Sequence, residues 1–409
     1  MAETIRGRGT FRALGYRDFF WFWLGYFISN VGSWMQSVTQ GWLLFDLTGS
    51  PLYLGLFSLL RTVMLLSFFL LGGIVADRWE RRLVMIWIQV ISLSTALVLA
   101  ILASFGIVQV WHIFVLGGLT STAWAFEQPV RQSLIPQLVS REDLVNALAL
   151  NAVTWNGAGL LGPSLVGILV GWVGISGCFY INAVSYLAVI ASLVWMHIPA
   201  RSGEGENQGW TQSLVDGLGY VRQHELIVTL LVVSSLVSIF GRSYITLLPV
   251  VAKDVLHLGA SGFGFISAAP GLGTIIGSVS LAALGRFKIK GRGLVLVLLS
   301  GAAALLIFAT ARHFQTAFVS LAMVGGLGTV FDTLLNTLIQ LAVSDDYRGR
   351  VMGIYGMTAT GLRELGGMQA GFIAEWTNAP LAIGAGASVV AVVAIFFLAP
   401  RAQRFPYGA

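Results

Sequence analysis

The sequence predicts an all-α membrane protein with about twelve transmembrane helices, arranged as two pseudo-symmetric six-helix bundles with both termini in the cytoplasm. Composition is the first observation behind this prediction: 56% of the residues are hydrophobic and 10% are charged. A soluble domain has about 25% charged residues, and the mean hydropathy here is +0.82. The second observation is length, since 409 residues have room for about twelve spans of roughly 20 residues with short loops. The third is the distribution of positive charge.

Long apolar runs place the individual spans. Only helices and closed barrels satisfy the backbone inside hydrocarbon, and these runs are too long for barrel strands. The predicted spans, numbered 1 to 12 along the chain, lie near 19–45, 52–75, 83–104, 111–130, 146–172, 175–197, 225–250, 261–285, 293–311, 316–340, 350–375 and 379–399.

Positive charge predicts the orientation of these spans. With the N-terminus placed inside, 19 of the 24 Lys and Arg residues fall in cytoplasmic segments. Only Lys253 and Arg312 fall outside, and three arginines lie within spans. Because cytoplasmic loops carry the excess of Lys and Arg, both termini are expected in the cytoplasm of a bacterial-type plasma membrane. The basic pI near 9.7 thus reflects topology and gives no evidence for nucleic-acid binding.

A polar stretch divides the predicted spans into two sets of six. We expect an N-terminal bundle over 1–198, a cytoplasmic linker over 199–224 and a C-terminal bundle over 225–409. Apolar residues of the linker fall on one helical face, which predicts an amphipathic helix at the membrane surface; they are Trp210, Leu214, Leu218 and Val221.

The two halves also carry similar loop segments. Residues 138–144 after span 4 parallel residues 342–348 after span 10, at an offset of 204 positions. Residues 76–82 after span 2 are echoed by residues 284–290 after span 8. Because both similarities fall in equivalent loops, they indicate an internal repeat.

The segment between spans 2 and 3 combines glycines, an aspartate and several arginines. It resembles the signature loop of the major facilitator superfamily, G-x-x-x-D-R-x-G-R-R. The matching residues are Gly73, Asp77, Arg78, Arg81 and Arg82, while Glu80 replaces the usual glycine. The resemblance implies that Asp77 is a latch that closes the cytoplasmic side by accepting hydrogen bonds from a helix N-terminus, with span 11 as its partner. A solvated loop charge paired with Arg78 or Arg81 is the alternative.

Three further segments narrow the resemblance to one branch of the superfamily. Residues 131–146, 346–353 and 45–51 look like the branch that contains macrolide-efflux proteins and enterobactin exporters. That branch implies twelve helices, parallel six-helix repeats and a substrate site at their interface. It also implies export of a bulky amphiphilic molecule, such as a drug, siderophore or lipid, by rocking alternating access in exchange for protons. A monomer is usual in the family.

Span 5 resembles the Gly-Pro motif that exporters of the superfamily carry in this helix. Small residues let helices approach closely and proline permits a bend, so Gly162 and Pro163 are candidate elements of the conformational switch. We expect this helix to face span 8 through Gly271, Gly273 and Gly277. Ordinary close packing is the alternative. The arginine that the family carries in span 4 for proton coupling is absent, so the coupling mechanism stays open.

Charged residues inside the spans are candidate functional sites, because each is costly in hydrocarbon unless it is paired or hydrated. Arg61 and Glu364 both lie roughly 15 Å from the outer ends of their helices, at 1.5 Å per residue. The resemblance makes spans 2 and 11 neighbours, so we expect an Arg61–Glu364 ion pair that opens and closes during transport. Alternatively each finds a separate partner, such as Arg363 or Asp332. Arg242 in span 7 completes the set.

Two further carboxylates have different expected roles, one as part of a local ion pair or gate and one in proton exchange. Glu127 and Arg131 are four residues apart and share one helix face, which favours a local ion pair or gate element. Asp332 in span 10 is the better proton candidate, because burial favours the neutral form of a carboxylate. It could equally be a structural partner of Arg363.

Polar and aromatic residues in spans 1, 7 and 10 are candidates for the wall of a substrate cavity. Wide cavities with aromatic walls and few polar groups suit bulky amphiphiles, although interhelical packing explains any single residue as well. The candidates are Asn30, Trp34, Ser37, Gln40, Tyr244 and Asn336.

Other classes of function find less support. The chain has no phosphate-binding G-x-x-x-x-G-K-[ST] loop, its five histidines have no metal-ligand spacing, and its one cysteine is alone. We therefore expect no nucleotide, nucleic acid, metal or cofactor, and the proton gradient as the energy source. An importer or facilitator of a small polar solute is the alternative transport function. A membrane-embedded enzyme would need clustered acids and histidines at one depth, and no such cluster is visible.

Overall fold

A computed structural model describes residues 11–196, 210–283 and 291–404 of the chain. Over these ranges the regular secondary structure consists of helices, with no strand. This agrees with the predicted all-α class. The helices lie where the apolar runs of the sequence place them, and several extend a turn or more beyond the predicted bounds.

The first half of the chain forms five long helices. They are α1 (Arg17–Thr48), α2 (Pro51–Arg78), α3 (Arg81–Ser104), α4 (Val110–Leu138) and α5 (Leu144–Trp195). The last of these contains predicted spans 5 and 6, because the backbone is helical on both sides of Gly174 and breaks only there. Gly174 has φ 68° and ψ −177°, a conformation that a side chain would strain.

The second half begins with a shorter helix and continues with six longer segments. They are α6 (Trp210–Gln223), α7 (Glu225–Val255), α8 (Ala260–Ala283), α9 (Gly291–Thr310), α10 (Phe314–Ala342), α11 (Asp345–Gly356 and Leu362–Trp376) and α12 (Ala379–Arg401). Turns of π-helix occur in three of them: Val237–Gly241 and Val251–Val255 in α7, Met357–Gly361 in α11 and Val393–Leu398 in α12. Such turns are rare and often lie at functional sites.

Eight of the described helices are long and apolar enough to cross a membrane by length and composition. One of the eight is α5, which spans 52 residues and contains two of the predicted spans. Helices α1 and α4 are also long, at 32 and 29 residues, but they carry more polar side chains. The exact number of twelve spans and the cytoplasmic placement of the termini stay predictions.

The chain divides into two compact units. The first contains the described residues of Met1–Thr48, Val63–Gly205 and Ala260–Ala268, and the second contains the described residues of Gly49–Thr62, Glu206–Gly259 and Ala269–Ala409. The first part of α2 thus groups with the second half of the chain, and the first part of α8 with the first half. The predicted division into 1–198, 199–224 and 225–409 follows the chain and stays a prediction for the two bundles.

The core of the first unit lies where α1 and α3 pack against α4 and α5. Its fully buried side chains include Phe19, Met85, Leu134 and Leu193. Helix α1 approaches the second half of α5 closely at Gly25, where a Cβ would lie 2.8 Å from the carbonyl oxygen of Ala188. Close approach through small residues is the usual way in which membrane helices pack.

The core of the second unit is formed mainly by α7, α9, α10, α11 and α12. It includes Ile227, Leu294, Leu335 and Val351, all fully buried. Helix α6 packs on the start of α11, since the ring of Tyr220 stacks on that of Tyr347 with centroids 4.3 Å apart. The predicted linker helix is present, and its position at a membrane surface stays a prediction.

Candidate functional site

The signature loop is helical for most of its length. Gly73, Asp77 and Arg78 lie in the last turns of α2, and their side chains lie outside the described residues. The proposed partner of Asp77 is therefore not defined. Glu80 precedes α3 with an extended conformation, φ −62° and ψ 112°, so this side chain occupies its position without a left-handed backbone.

The two arginines after this turn bind backbone carbonyls of the first unit. Arg82 donates through Nε to the carbonyl oxygen of Leu193 and through Nη2 to that of Val194, each at 2.6 Å. These carbonyls belong to the last turn of α5, where the helix itself supplies no donors. Arg81 donates to the carbonyl of Ser133 at 3.3 Å. Arg82 thus caps α5 and fixes it to the start of α3.

The Gly-Pro motif of α5 contacts α1. A Cβ on Gly162 would stand 2.6 Å from the Cβ of Trp34 and 2.8 Å from the carbonyl oxygen of Val31. The expected contact of this motif with the glycines of span 8 is therefore wrong for Gly162. Pro163 lies inside the same helix.

The glycines of α8 pack instead on α10, within the second unit. Cβ atoms on Gly273 and Gly277 would lie 2.8 Å and 2.6 Å from backbone atoms of Gly326. Helices α5 and α8 do meet, as expected, but through Gly264 and not through the three predicted glycines: a Cβ on Gly264 would lie 2.6 Å from the Cα of Gly167. A row of small residues in the sequence predicts that another helix can pack closely against that face. It does not predict which helix this is.

A buried ion pair lies in α4. Glu127 and Arg131 are 8% and 5% exposed, and Oε1 of the glutamate lies 3.9 Å from Nε of the arginine. Arg131 donates its Nη hydrogens elsewhere, to Oε1 of Gln128 at 2.7 Å and to Oδ1 of Asn151. The predicted local pair is present, although it is long.

Side chains from α1 and α3 complete the surroundings of Glu127. Gln89 donates to Oε2 of Glu127 at 3.4 Å, and the Tyr26 hydroxyl interacts with the same carboxylate. The guanidinium carbon of Arg131 lies 4.6 Å from the centre of the Tyr26 ring, a favourable cation–π arrangement. The sequence analysis did not identify Tyr26, Gln89 and Asn151 as site residues. The only feature that could have indicated them is that each is a polar residue within an apolar helix.

The four cavity candidates of α1 lie in three different environments. Asn30 and Trp34 each bury a nitrogen, Nδ2 and Nε1, that has no hydrogen-bond partner among the residues that the structure describes. Gln40 is buried and donates to the carbonyl of Ile113 at 3.4 Å, so it serves helix packing. Ser37 is exposed.

Trp34 belongs to a tryptophan group that also includes Trp155 and Trp124. Its ring meets that of Trp155 from α5 edge to face with centroids 5.5 Å apart, and the Trp155 ring stacks on that of Trp124 from α4 at 6.1 Å. Three helices of the first unit therefore present tryptophans to one another. All three tryptophans are half-buried, and an aromatic ring with one polar N–H suits contact with an amphiphile.

In the second unit, Asp332 pairs with Arg242. Nη2 of Arg242 donates to both carboxylate oxygens, to Oδ1 at 2.6 Å. The suggestion from the sequence that Asp332 pairs with Arg363 is therefore wrong. The reason is the tertiary arrangement, because residues 90 positions apart meet where α7 breaks after its π turn.

Arg61 lies beside Glu364, as predicted. Nη2 of Arg61 is 3.9 Å from Oε1 of Glu364, and Nη2 of Arg363 is 3.7 Å from the same oxygen. Glu364 therefore contacts both the predicted partner, Arg61, and the alternative partner, Arg363. The opening and closing of this contact stays a prediction.

The two remaining cavity candidates of the second unit are partly or fully enclosed. Tyr244 is 4% exposed, and its ring meets that of Phe308 edge to face at 6.2 Å. Asn336 is half-buried and accepts a hydrogen bond from Gln340, one turn further along α10. Among the described residues no group of three His, Cys, Asp or Glu side chains is placed to hold a metal ion.

Comparison with known proteins gives one family. A family model described as transmembrane secretion effector matches residues 8–405 of the chain, which is almost its whole length.

Individual relatives agree with the sequence resemblance. The chain is 23% identical over 350 residues to the staphyloferrin A transporter of Staphylococcus aureus, covering 85% of this chain and 87% of the relative. It is 21% identical to macrolide efflux protein A of Streptococcus pyogenes, covering 83% and 84%. It is 23% identical to the enterobactin exporter EntS of Shigella boydii, covering 78% and 73%.

A solved structure agrees with the fold. A bacterial homologue of the human lysosomal transporter Spinster, in an inward-facing and occupied conformation, superposes with a TM-score of 0.73. The two chains are 13% identical, and the match covers 98% of this chain and all of the other. At this identity the likeness concerns the fold alone.

Proposed function

This chain belongs to the transmembrane secretion effector family of the major facilitator superfamily, and from that premise we propose that it is a secondary exporter of a bulky amphiphilic organic molecule. As a member of this family it is a membrane transporter and not an enzyme. The proposed direction of transport is out of the cytoplasm. A drug, a siderophore and a lipid-like molecule are the candidate substrates.

The relatives support the proposed direction and class of substrate. Two of them are named for efflux or export, of a macrolide and of enterobactin, and a third is named as a transporter of staphyloferrin A. The tryptophan group of α1, α4 and α5 supports a surface for an apolar ring system.

The observation that carries the proposed mechanism is a set of weak ionic contacts deep in the helices. The Arg61–Glu364 and Glu127–Arg131 distances are both 3.9 Å, longer than a charge-assisted hydrogen bond. Contacts of this kind can exchange partners at modest cost, whereas the short Arg242–Asp332 pair holds one geometry. We propose rocking alternating access in which the long contacts open and close.

Proton exchange is the energy source we propose, with Glu127 as the acidic group. Its carboxylate is buried, has a long contact with Arg131, and interacts with the side chains of Gln89 and Tyr26. Asp332, favoured from the sequence, is already held by Arg242 through both oxygens. Of the two carboxylates, Glu127 can therefore change its charge without breaking a short ionic contact.

The remaining parts of the proposal concern location and assembly. The bacterial relatives and the excess of Lys and Arg in the predicted inner loops support a plasma membrane location with both termini in the cytoplasm. We propose a monomer as the working unit, in contact with the lipid bilayer and without nucleotide or nucleic acid.

Efflux from proteoliposomes tests the proposal. Fluorescent amphiphiles, siderophores and lipids are loaded, and their release is followed with and without an imposed proton gradient. Gradient-dependent release that is lost in Asp77→Asn supports a proton-driven exporter with the helix 2–3 latch. Release that ignores the gradient points to a facilitator, and release of none of the compounds contradicts the substrate class.

A further inference from the structure

Five of the charged side chains in the helices of the second unit lie away from the helix ends. We call them the arginine cluster: Arg61, Arg242, Asp332, Arg363 and Glu364. We propose that the arginine cluster binds an acidic group of the transported molecule, so that the substrate is an amphiphilic organic anion such as a carboxylate. This inference rests on the proposed export function and names the chemistry of its substrate.

The cluster carries an excess of positive charge. It combines three guanidinium groups with two carboxylates. Arg363 interacts electrostatically with Glu364, Arg242 and Arg61, and Arg242 in turn binds Asp332. An unbalanced charge inside a membrane protein is costly unless a counter-ion or water accompanies it. The missing partner is therefore an anion.

The two carboxylates are used unequally. Asp332 is occupied by Arg242 through both oxygens, which neutralises that pair. Glu364 is shared, with Nη2 of Arg61 and Nη2 of Arg363 at 3.9 Å and 3.7 Å from the same oxygen. One carboxylate between two guanidinium groups leaves one positive charge in this part of the cluster.

Arg61 and Arg363 also have unused hydrogen-bond donors. Over the described residues, neither guanidinium donates a hydrogen bond of ordinary length, and the acidic oxygen nearest to each is that of Glu364. A guanidinium carries five N–H donors in a planar fork. The fork fits the two oxygens of a carboxylate or the oxygens of a phosphate. Both arginines are thus able to accept an additional anion without giving up a short bond.

The position of the cluster allows access by a ligand. Arg61 lies about 15 Å from the beginning of α2 and Glu364 about 18 Å from the end of α11, at 1.5 Å per residue. The side chains of Arg61 and Arg363 are nevertheless 38% and 26% exposed. Charges that are deep in a helix and still exposed usually face a water-filled cavity.

The backbone is irregular at two of the arginines. Arg242 follows the π turn Val237–Gly241 directly, and Arg363 comes two residues after the π turn Met357–Gly361. Such turns often lie at functional sites. Two arginines from different helices thus lie beside π turns, while two further π turns, Val251–Val255 in α7 and Val393–Leu398 in α12, contain no residue of the cluster.

Binding of three matched probes tests the inference. Dansylglycine, its methyl ester and dansyl-ethylenediamine share one fluorophore and carry a negative, a neutral and a positive tail. The full-length protein in lipid nanodiscs is titrated with each, and the rise in dansyl fluorescence gives the affinity. We expect saturable binding of dansylglycine, with an affinity about tenfold or more above that of the other two probes, which corresponds to about 1.4 kcal/mol.

Variants of the cluster separate this site from general attraction. Arg363→Gln and Arg61→Gln should each abolish the preference for the anion, and Arg363→Lys should keep part of it, because the charge remains and the fork is lost. Arg292→Gln removes an exposed arginine at the start of α9 and should leave the preference intact. Glu364→Gln should strengthen binding of dansylglycine, since it removes the competing carboxylate.

The outcomes distinguish this inference from the proposed export function. Equal binding of the three probes, no saturable binding of the anion, a preference that survives both arginine-to-glutamine variants, or weaker anion binding in Glu364→Gln would each overturn the anion site. Efflux of the same probes from proteoliposomes is measured in parallel. Anion binding that depends on the arginines, without efflux of any probe, would contradict export and leave the site standing. Equal efflux of all three probes would support export and contradict the anion site.

Discussion

Glu127 and Arg131 share one face of α4, yet the shortest distance between their charged groups, from Oε1 to Nε, is 3.9 Å. The arginine is held instead by amide oxygens, those of Gln128 and Asn151. Helix α5 thus fixes the cation through Asn151, while the anion has no short ionic contact and interacts with the neutral side chains of Gln89 and Tyr26. This asymmetry allows the charge of Glu127 to change without releasing Arg131.

Neutralising Glu127 should therefore uncouple transport from protons. In Glu127→Gln we expect the gradient dependence of efflux to fall by roughly fivefold or more, the scale on which two coupled ligands commonly affect each other. Substrate binding should persist, because Arg131 keeps its amide partners. Efflux from proteoliposomes at several imposed pH differences measures the effect. Asp332→Asn is the matched variant, and a larger loss of gradient dependence there would assign the proton to Asp332.

Reversing the charges of Arg61 and Glu364 tests whether their contact has a role in transport. Arg61→Glu and Glu364→Arg should each abolish efflux, because each places like charges together deep in the second unit. The double variant should recover a measurable part of the activity. Recovery is read against the expression level and the thermal stability of each protein. No recovery in a folded double variant would contradict a pair that opens and closes.

Adding a methyl group between α8 and α10 should destabilise the second unit. A Cβ on Gly273 would lie 2.7 Å from the carbonyl carbon of Ala322, so Gly273→Ala forces the helices apart at an expected cost of about 1–3 kcal/mol. Gly384→Ala in α12 is the control, since a Cβ there meets nothing within 4 Å. Thermal unfolding of the two purified variants measures the difference. Equal stabilities would mean that the close approach is not required.

Removing the cap on α5 should weaken the first unit. Arg82→Gln loses two charge-assisted hydrogen bonds to the carbonyls of Leu193 and Val194. Hydrogen bonds to charged groups make a net contribution of about 1.5–3 kcal/mol each, and the partial exposure of Arg82 lowers the expected loss. Arg141→Gln removes an exposed arginine and is the control. A lower midpoint of thermal unfolding in Arg82→Gln alone is the expected result.

Much of the architecture follows from the chain itself. Apolar runs placed the helices, because a backbone in hydrocarbon must form its hydrogen bonds within each span. The break at Gly174 lies between predicted spans 5 and 6, where only glycine tolerates the observed φ. The residues of the signature loop and three other segments indicated the family that the family model shows.

The site was only partly readable from sequence. Charged residues within the spans are recognisable from the sequence, because few such side chains occur in apolar helices. Arg61, Asp332 and Glu364 are identified in this way. Tyr26, Gln89 and Asn151 were not, because a single polar residue in a membrane helix has the same appearance whether it binds a neighbouring helix or surrounds a functional group. Their importance depends on the neighbouring helices.

By itself the sequence determined where the helices lie, which family the chain belongs to and which charges lie deep in the spans. The tertiary structure alone decided the partners: Arg242 for Asp332, the carbonyls of α5 for Arg82, and α10 for the glycines of α8. The physical reason is that hydropathy and helix periodicity act locally along the chain. A charged residue or a glycine face in the sequence indicates which type of partner is required. Only packing between segments far apart in the sequence decides which residue is that partner.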